Sequence, residues 1–208
     1  MLFITATDTD VGKTFFAKSL IKFLLNNNIY SSKEICYFKP IQAGIPTDFD
    51  EIKNETKIDV YCSYPLNFPA SPDYASSLEQ IKISSDKIQN DFLELQNKYK
   101  YIIVEGAGGV AVPINDKELI SDLIKKLNLE TVIVTRPDLG TINHSLISFE
   151  HLNNKNIKIK GFYVSAKTRT ISEQYNISEE KKYVQNSKAL ESIIKFTKSK
   201  ILKFSDFV

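Results

Sequence analysis

Short apolar runs alternate with amphipathic stretches along the chain. Leu2, Phe3 and Ile4 make the first run, Ile35, Cys36, Tyr37 and Phe38 the second, and Tyr101, Ile102, Ile103 and Val104 the third; residues 131–135 and 158–164 repeat the pattern. Continuous apolar runs of this length read as strands covered on both faces. Between them, apolar residues recur at helical spacing. Phe16, Leu20, Phe23 and Leu24 fall on one side of a helix over 15–25, with Lys18 and Lys22 outside, and the three asparagines at 26–28 stop it. Ile88, Phe92 and Leu95 form one face over 86–99, behind a Ser84-Ser85 cap. Further helices are expected from near Ile52, over 119–129 and over 184–194. Pro40 is expected to end the second strand, and Pro65, Pro69 and Pro72 make 64–77 irregular. Residues 168–178 read as polar and loose. No internal repeat is evident. Strand and helix alternate from end to end, which implies an α/β fold: a mainly parallel sheet with helices on both faces.

Composition narrows the partners. At 208 residues the expectation is a single domain over 1–208. A net charge of +2, with no dense basic run, gives no reason to expect a nucleic-acid partner. Cys36 and Cys62 are far apart and form no metal-type pair, so they read as reduced thiols. The start has no basic region ahead of an apolar one, and no run nears the roughly 20 apolar residues of a membrane helix. A cytoplasmic protein without a membrane partner is expected.

Candidate chemistry gathers where strands end. Residues 2–14 run strand, loop, Gly12-Lys13-Thr14, helix, the order of parts in a P-loop. Backbone N–H groups of such a loop and the helix N-terminus surround a phosphate, the lysine reaches the outer phosphates, and the threonine hydroxyl ligates Mg²⁺. Asp10, Val11, Gly12, Lys13, Thr14 and Phe15 are therefore the candidate phosphate cradle. The general pattern wants glycine where Thr7 stands; Ala6, one residue earlier, is the nearest small residue, and alanine serves if its φ is negative. Lys39 follows the second strand and faces the ligand edge of an open α/β sheet, or is a solvated strand-end lysine. Glu105 ends the third run and is followed by Gly106-Ala107-Gly108-Gly109; an acid there can hold Mg²⁺, and the glycines let backbone approach a ligand. Asp48 and Asp50 precede Ile52, and either reads equally as a helix cap or first-turn acid.

The stretch 7–14, Thr-Asp-Thr-Asp-Val-Gly-Lys-Thr, resembles the P-loop of dethiobiotin synthetases, with Ala6 where that family has glycine. Lys39-Pro40-Ile41-Gln42-Ala43-Gly44 resembles its KP-x-x-[ST]-G segment, and 104–114 its most specific stretch; Leu139-Gly140-Thr141-Ile142-Asn143-His144 resembles its Leu-Gly-x-Ile-Asn-His. The likeness covers most of 2–165. It implies a P-loop NTPase-like fold and ATP-dependent ring closure of 7,8-diaminononanoate with CO₂ to dethiobiotin, with Mg²⁺ and ATP. It implies catalytic roles for Thr9, Lys13 and Lys39. Nucleotide contacts are implied at Asp10 to Phe15, Asp50, Glu105, Gly106, Ala107, Gly108 and Ser165. Substrate contacts are implied at Thr9, Lys39, Ala43, Gly108, Gly109, Leu139, Gly140 and Asn143, the last three across a homodimer interface. Thr14, Glu105 and an acid at the start of the helix near Ile52 are the implied metal ligands; Asp50 is preferred by position, with Asp48 the alternative.

Four departures stand out. Ala43 lacks the family's hydroxyl, which a backbone N–H or Gln42 could replace; Asp73 stands for the usual His after Ser71-Pro72; Ser165 stands for an adenine-contacting Asn. The family's C-terminal Gly-x-x-Pro segment is not evident. His144 is read as structural. Lys39→Ala is expected to abolish most turnover while the fold survives. Two other classes remain: a partitioning-type ATPase switch, which carries a lysine where this chain has Asp8, and an ATP-dependent ligase or kinase for another small molecule.

Overall fold

The structure, a computed structural model, describes residues 1–165 and 179–208, without the side chains of 179–186. The segment read as loose, 168–178, lies outside the described residues. Six strands are present: β1 (Leu2–Ala6), β2 (Ile35–Ala43), β3 (Asp59–Leu66), β4 (Tyr101–Glu105), β5 (Thr131–Thr135) and β6 (Ile159–Val164). Seven α-helices accompany them among the described residues: α1 (Lys13–Asn26), α2 (Asp48–Thr56), α3 (Pro72–Leu78), α4 (Ser85–Lys98), α5 (Ile120–Leu127), α6 (Thr141–Asn154) and α7 (Glu179–Thr197). A 3₁₀ turn, Phe204–Phe207, closes the chain.

The strands pair in the order β3-β2-β4-β1-β5-β6, every pair parallel. Leu2, Ile4, Ile35, Tyr37, Ile103, Val132 and Val134 bury one face against Phe16, Leu20 and Leu24 of α1 and Ile52 of α2. Phe3, Phe38, Ile102, Val104 and Ile133 bury the other against Phe92 of α4, Leu123 and Ile124 of α5 and Leu152 of α6. Both faces are apolar, which is why the central strands read as unbroken runs. From β1 the chain passes through α1 to β2 on one side; from β4 it passes through α5 to β5 on the other. The crevice at the carboxyl end of β1 is therefore a topological switch point, the usual ligand position in such sheets.

The expectation fails in two places. Pro40 does not end β2, which runs on to Ala43 paired with β3 (Ile41 opposite Tyr64). Pairing with β4 stops at Phe38, so beyond it β2 has a free edge where a residue without N–H is tolerated. And 64–77 is not all irregular. Residues 64–66 finish β3, a half-exposed edge strand with no continuous apolar run. Pro72 opens α3 in the first turn, where a missing N–H costs nothing.

Candidate active site

The loop from β1 to α1 starts at Ala6, a strand residue outside the left-handed region, so no glycine is needed there. Gly12, by contrast, caps α1 at φ 102°, a conformation that favours glycine. No side chain caps α1 and no acid lies in its first turn, so its N–H groups are open to an anion. Thr9 and Asp10 are exposed at the tip, Val11 and Gly12 are buried, and Phe15 is 47% exposed, leaving only its backbone toward the loop. The Lys13 ammonium folds back over the loop, 3.3 Å from the Asp8 carbonyl oxygen. Burial and the nearby Lys39 charge push its pKa down to about 8.

Two strands and two helices, β2, β4, α1 and α2, converge beside this loop. Thr14 Oγ1 lies 2.9 Å from Asp48 Oδ1 and 3.1 Å from Glu105 Oε1. The Lys39 ammonium bridges the same acids, 2.6 Å from Asp48 Oδ2 and 2.7 Å from Glu105 Oε1. Glu105 is fully buried and Lys39 3% exposed. Burial opposes both charges of the Lys39–Asp48 pair, but Glu105 and Asp48 hold the lysine above its ordinary value, and Lys39, with a hydrogen bond from Thr14, holds the aspartate below its own. The sequence missed a further member: Tyr37, two residues before Lys39 on the same face of β2, donates to Glu105 Oε2 at 2.9 Å.

The acid from α2 is Asp48, not the preferred Asp50. Thr47 is the N-cap of α2: its hydroxyl oxygen accepts from the Asp50 N–H and its O–H donates to the Asp50 carboxylate. Asp50 is spent on the cap, and Asp48, first in the helix, turns into the cluster. Gln42 does not replace the missing hydroxyl at Ala43. Its side-chain oxygen accepts from the Asp48 N–H at 3.1 Å and its amide donates to the Ala43 and Gly44 carbonyls, tying the end of β2 to the start of α2.

After β4, Gly106 to Gly109 turn tightly under the P-loop. A Cβ at Gly109 would lie 3.3 Å from the Ala6 carbonyl oxygen, and Gly108 has φ 63°. Gly106 donates to the Ile4 carbonyl, and Ala107 packs against the core. A cavity of about 330 Å³ opens on the far side, lined by Thr7, Asp8, Thr9, the chain from Gly109 to Val112, and His144, Ile147 and Ser148 of α6. Leu139 is 80% exposed and Asn143 is exposed at the start of α6, while Gly140 caps that helix at φ 93°. The Thr141 hydroxyl lies 2.9 Å from the Thr135 hydroxyl. Like α1, α6 has no side-chain cap and no acid in its first turn.

Asp8 has a cation beside it that the sequence did not reveal. Arg136, 8% exposed, places Nη2 3.3 Å from Asp8 and Nε 3.3 Å from Asp138, linking the P-loop to the loop after β5. Ser165 is fully buried after β6, with its N–H donating to the Thr135 carbonyl at 2.8 Å. Among the described residues no helix is long and apolar enough to cross a membrane.

The family model described as AAA domain matches residues 1–202. The ATP-dependent dethiobiotin synthetase BioD of Methanocaldococcus jannaschii is 42% identical over 176 residues, 81% of this chain and 80% of its own. That of Methanococcus aeolicus is 44% identical over 171 residues, 79% of each. Among solved structures, the MinC:MinD cell division protein complex of Aquifex aeolicus shares the fold at 14% identity and a TM-score of 0.56, covering 96% of this chain and 78% of that one. The P-loop, the buried Lys39–Glu105 pair and this degree of identity agree: the chain belongs to the ATP-dependent dethiobiotin synthetase family.

Proposed function

We propose that one P-loop domain of this chain closes the ring of 7,8-diaminononanoate with CO₂ and ATP, giving dethiobiotin, ADP and phosphate. The observation that carries the reading is the cluster of half-exposed Thr14 and Asp48 around the buried Lys39 and Glu105, beside a helix N-terminus with no side-chain cap. One substrate amine adds CO₂ as a carbamate, the γ-phosphoryl group activates it as a mixed anhydride, and the second amine displaces phosphate to close the urea ring. Such chemistry asks the protein for positioning and charge neutralisation. The α1 N–H groups and Lys13 take the phosphates. Lys39 lies between carbamate and γ-phosphoryl. The donor set suits Mg²⁺, which takes one or two carboxylates and completes its shell with phosphate oxygens and water. Thr14, Asp48 and Glu105 would hold it, and it would supply charge neutralisation at the transferred phosphoryl.

The second part of the reading is a cytoplasmic homodimer. Leu139 just before α6, and Ile142 and Ile147 on it, lie exposed, and α6 walls the cavity beside Thr9 and Gly109. The uncapped start of α6, with Asn143, would receive the substrate carboxylate from the partner. A partitioning-type switch has less support: Asp8 occupies the place of its signature lysine and is paired with Arg136. The test is ADP release from Mg²⁺-ATP and bicarbonate, with and without the diamine, with mass detection of product. Diamine-dependent release with dethiobiotin formed supports the reading; diamine-independent release with no product rejects it.

A further inference from the structure

Glu105 has two oxygens, and the structure treats them differently. Oε1 faces the Thr14 hydroxyl and the Lys39 ammonium. Oε2 accepts from the Tyr37 hydroxyl at 2.9 Å, and both Tyr37 and Glu105 are fully buried. The arrangement follows from the sheet. Tyr37 and Lys39 are two apart on β2, so both side chains leave the same face, and β2 pairs with β4, the strand that ends in Glu105. With Oε2 tethered from one side and Oε1 from the other, the fully buried carboxylate cannot turn about its last torsion without losing a hydrogen bond.

A carboxylate held this way offers a cation one oxygen. Mg²⁺ takes carboxylates through single oxygens in a near-ideal octahedron, whereas Ca²⁺ accepts six to eight ligands and readily takes both oxygens of one acid. We propose that Tyr37 is a specificity-determining positioning residue: it confines Glu105 to one-oxygen binding and thereby makes the cation site prefer Mg²⁺ to Ca²⁺. This rests on the reading above that Glu105 is a cation ligand. Tyr37 touches neither substrate nor phosphate in this account; it acts through Glu105.

The test is calorimetric binding of ADP alone, with Mg²⁺ and with Ca²⁺, to the wild-type protein, Tyr37→Phe and Glu105→Gln. Wild type is expected to bind ADP more tightly with Mg²⁺ than with Ca²⁺. In Y37F that ratio should fall about tenfold, the size of losing one hydrogen bond to a charged group, while affinity for metal-free ADP is unchanged. An unchanged ratio in a folded Y37F overturns the proposal and leaves the cation reading intact. Equal affinity with either cation in wild type overturns it without any variant, so the outcome does not depend on Y37F folding. If neither cation alters ADP affinity and E105Q binds like wild type, the cation reading itself fails and the proposal falls with it.

Discussion

Lys39 and Glu105 form a buried ion pair, so removing either charge does two things at once. Lys39→Ala should lower single-turnover dethiobiotin formation by about 10²–10³, the usual effect of losing a preorganised charge at a reacting phosphoryl. Breaking a buried pair typically costs about 3–5 kcal/mol, because the remaining charge is uncompensated. Urea denaturation of K39A should show a loss of that size, and a variant with both wild-type turnover and wild-type stability would contradict the role. Asp48 and Asp50 give a cleaner contrast. Asp48→Asn should slow turnover by about 10² by removing a group that meets Thr14 and Lys39. Asp50→Asn should leave turnover within a few-fold, because its carboxylate serves the helix cap. Position ahead of Ile52 did not separate the two acids; the signal that does is the spacing Thr47-x-x-Asp50, that of a reciprocal cap, which assigns Asp50 to the helix start and leaves Asp48 for the site. Tyr37 was less legible. Its spacing from Lys39 put it on the right face, but an apolar run gives no sign that one hydroxyl within it has a partner.

At the scale of elements, the site depends on how α2 begins and how α5 and α6 pack. Thr47→Ala removes the side-chain acceptor for the Asp50 N–H and should cost about 1 kcal/mol. It should also weaken the Mg²⁺ dependence of turnover, since the same turn orients Asp48. Between α5 and α6, His151 Nε2 lies 2.8 Å from Ser121 Oγ, and Lys155 pairs with Asp122. Burial lowers the His151 pKa below 6.5, with Lys155 adding to the shift. The sign follows from that. Above 6.5 the imidazole is neutral in both folded and unfolded chains and imposes no penalty. As pH falls from 6.5 toward the folded value, the unfolded chain takes up the proton first, so stability declines; below the folded value the loss is constant. Denaturation at neutral pH and about a unit below 6.5 should show this fall, and His151→Gln should reduce it. Elements were legible where burial was two-sided. The runs of β1, β4 and β5 are unbroken because helices cover both faces. β3 was missed because an edge strand has one pairing partner and mixed exposure, and the sequence around Cys62, Ser63 and Pro65 shows no period.

The whole molecule places the phosphate loop, the Lys39–Glu105 cluster and the start of α6 at carboxyl ends of strands, around the switch point at β1. That much could be inferred from the order of strand-ending motifs before any geometry. What could not be inferred was the tie between loops: Arg136 joins Asp8 to Asp138, and Gln42 joins β2 to α2, contacts between segments distant in sequence or hidden behind an apparent terminator. The exposed apolar strip of α6 belongs to this scale as well. Ile147→Asp should shift the protein toward monomer by analytical ultracentrifugation and raise KM for the diamine at least tenfold, while ADP binding is unchanged; a dimeric, fully active I147D would contradict the proposed interface. The central claim is that the Thr14–Lys39–Asp48–Glu105 cluster transfers phosphoryl to a carbamate of the diamine. The most direct measurement is single-turnover formation of ADP and dethiobiotin from Mg²⁺-ATP, bicarbonate and 7,8-diaminononanoate, with wild type and Asp48→Asn side by side. The account predicts equal amounts of ADP and dethiobiotin from wild type, none of either without the diamine, and both slowed together by about 10² in the variant. ADP release that ignores the diamine, or a variant as fast as wild type, would contradict it.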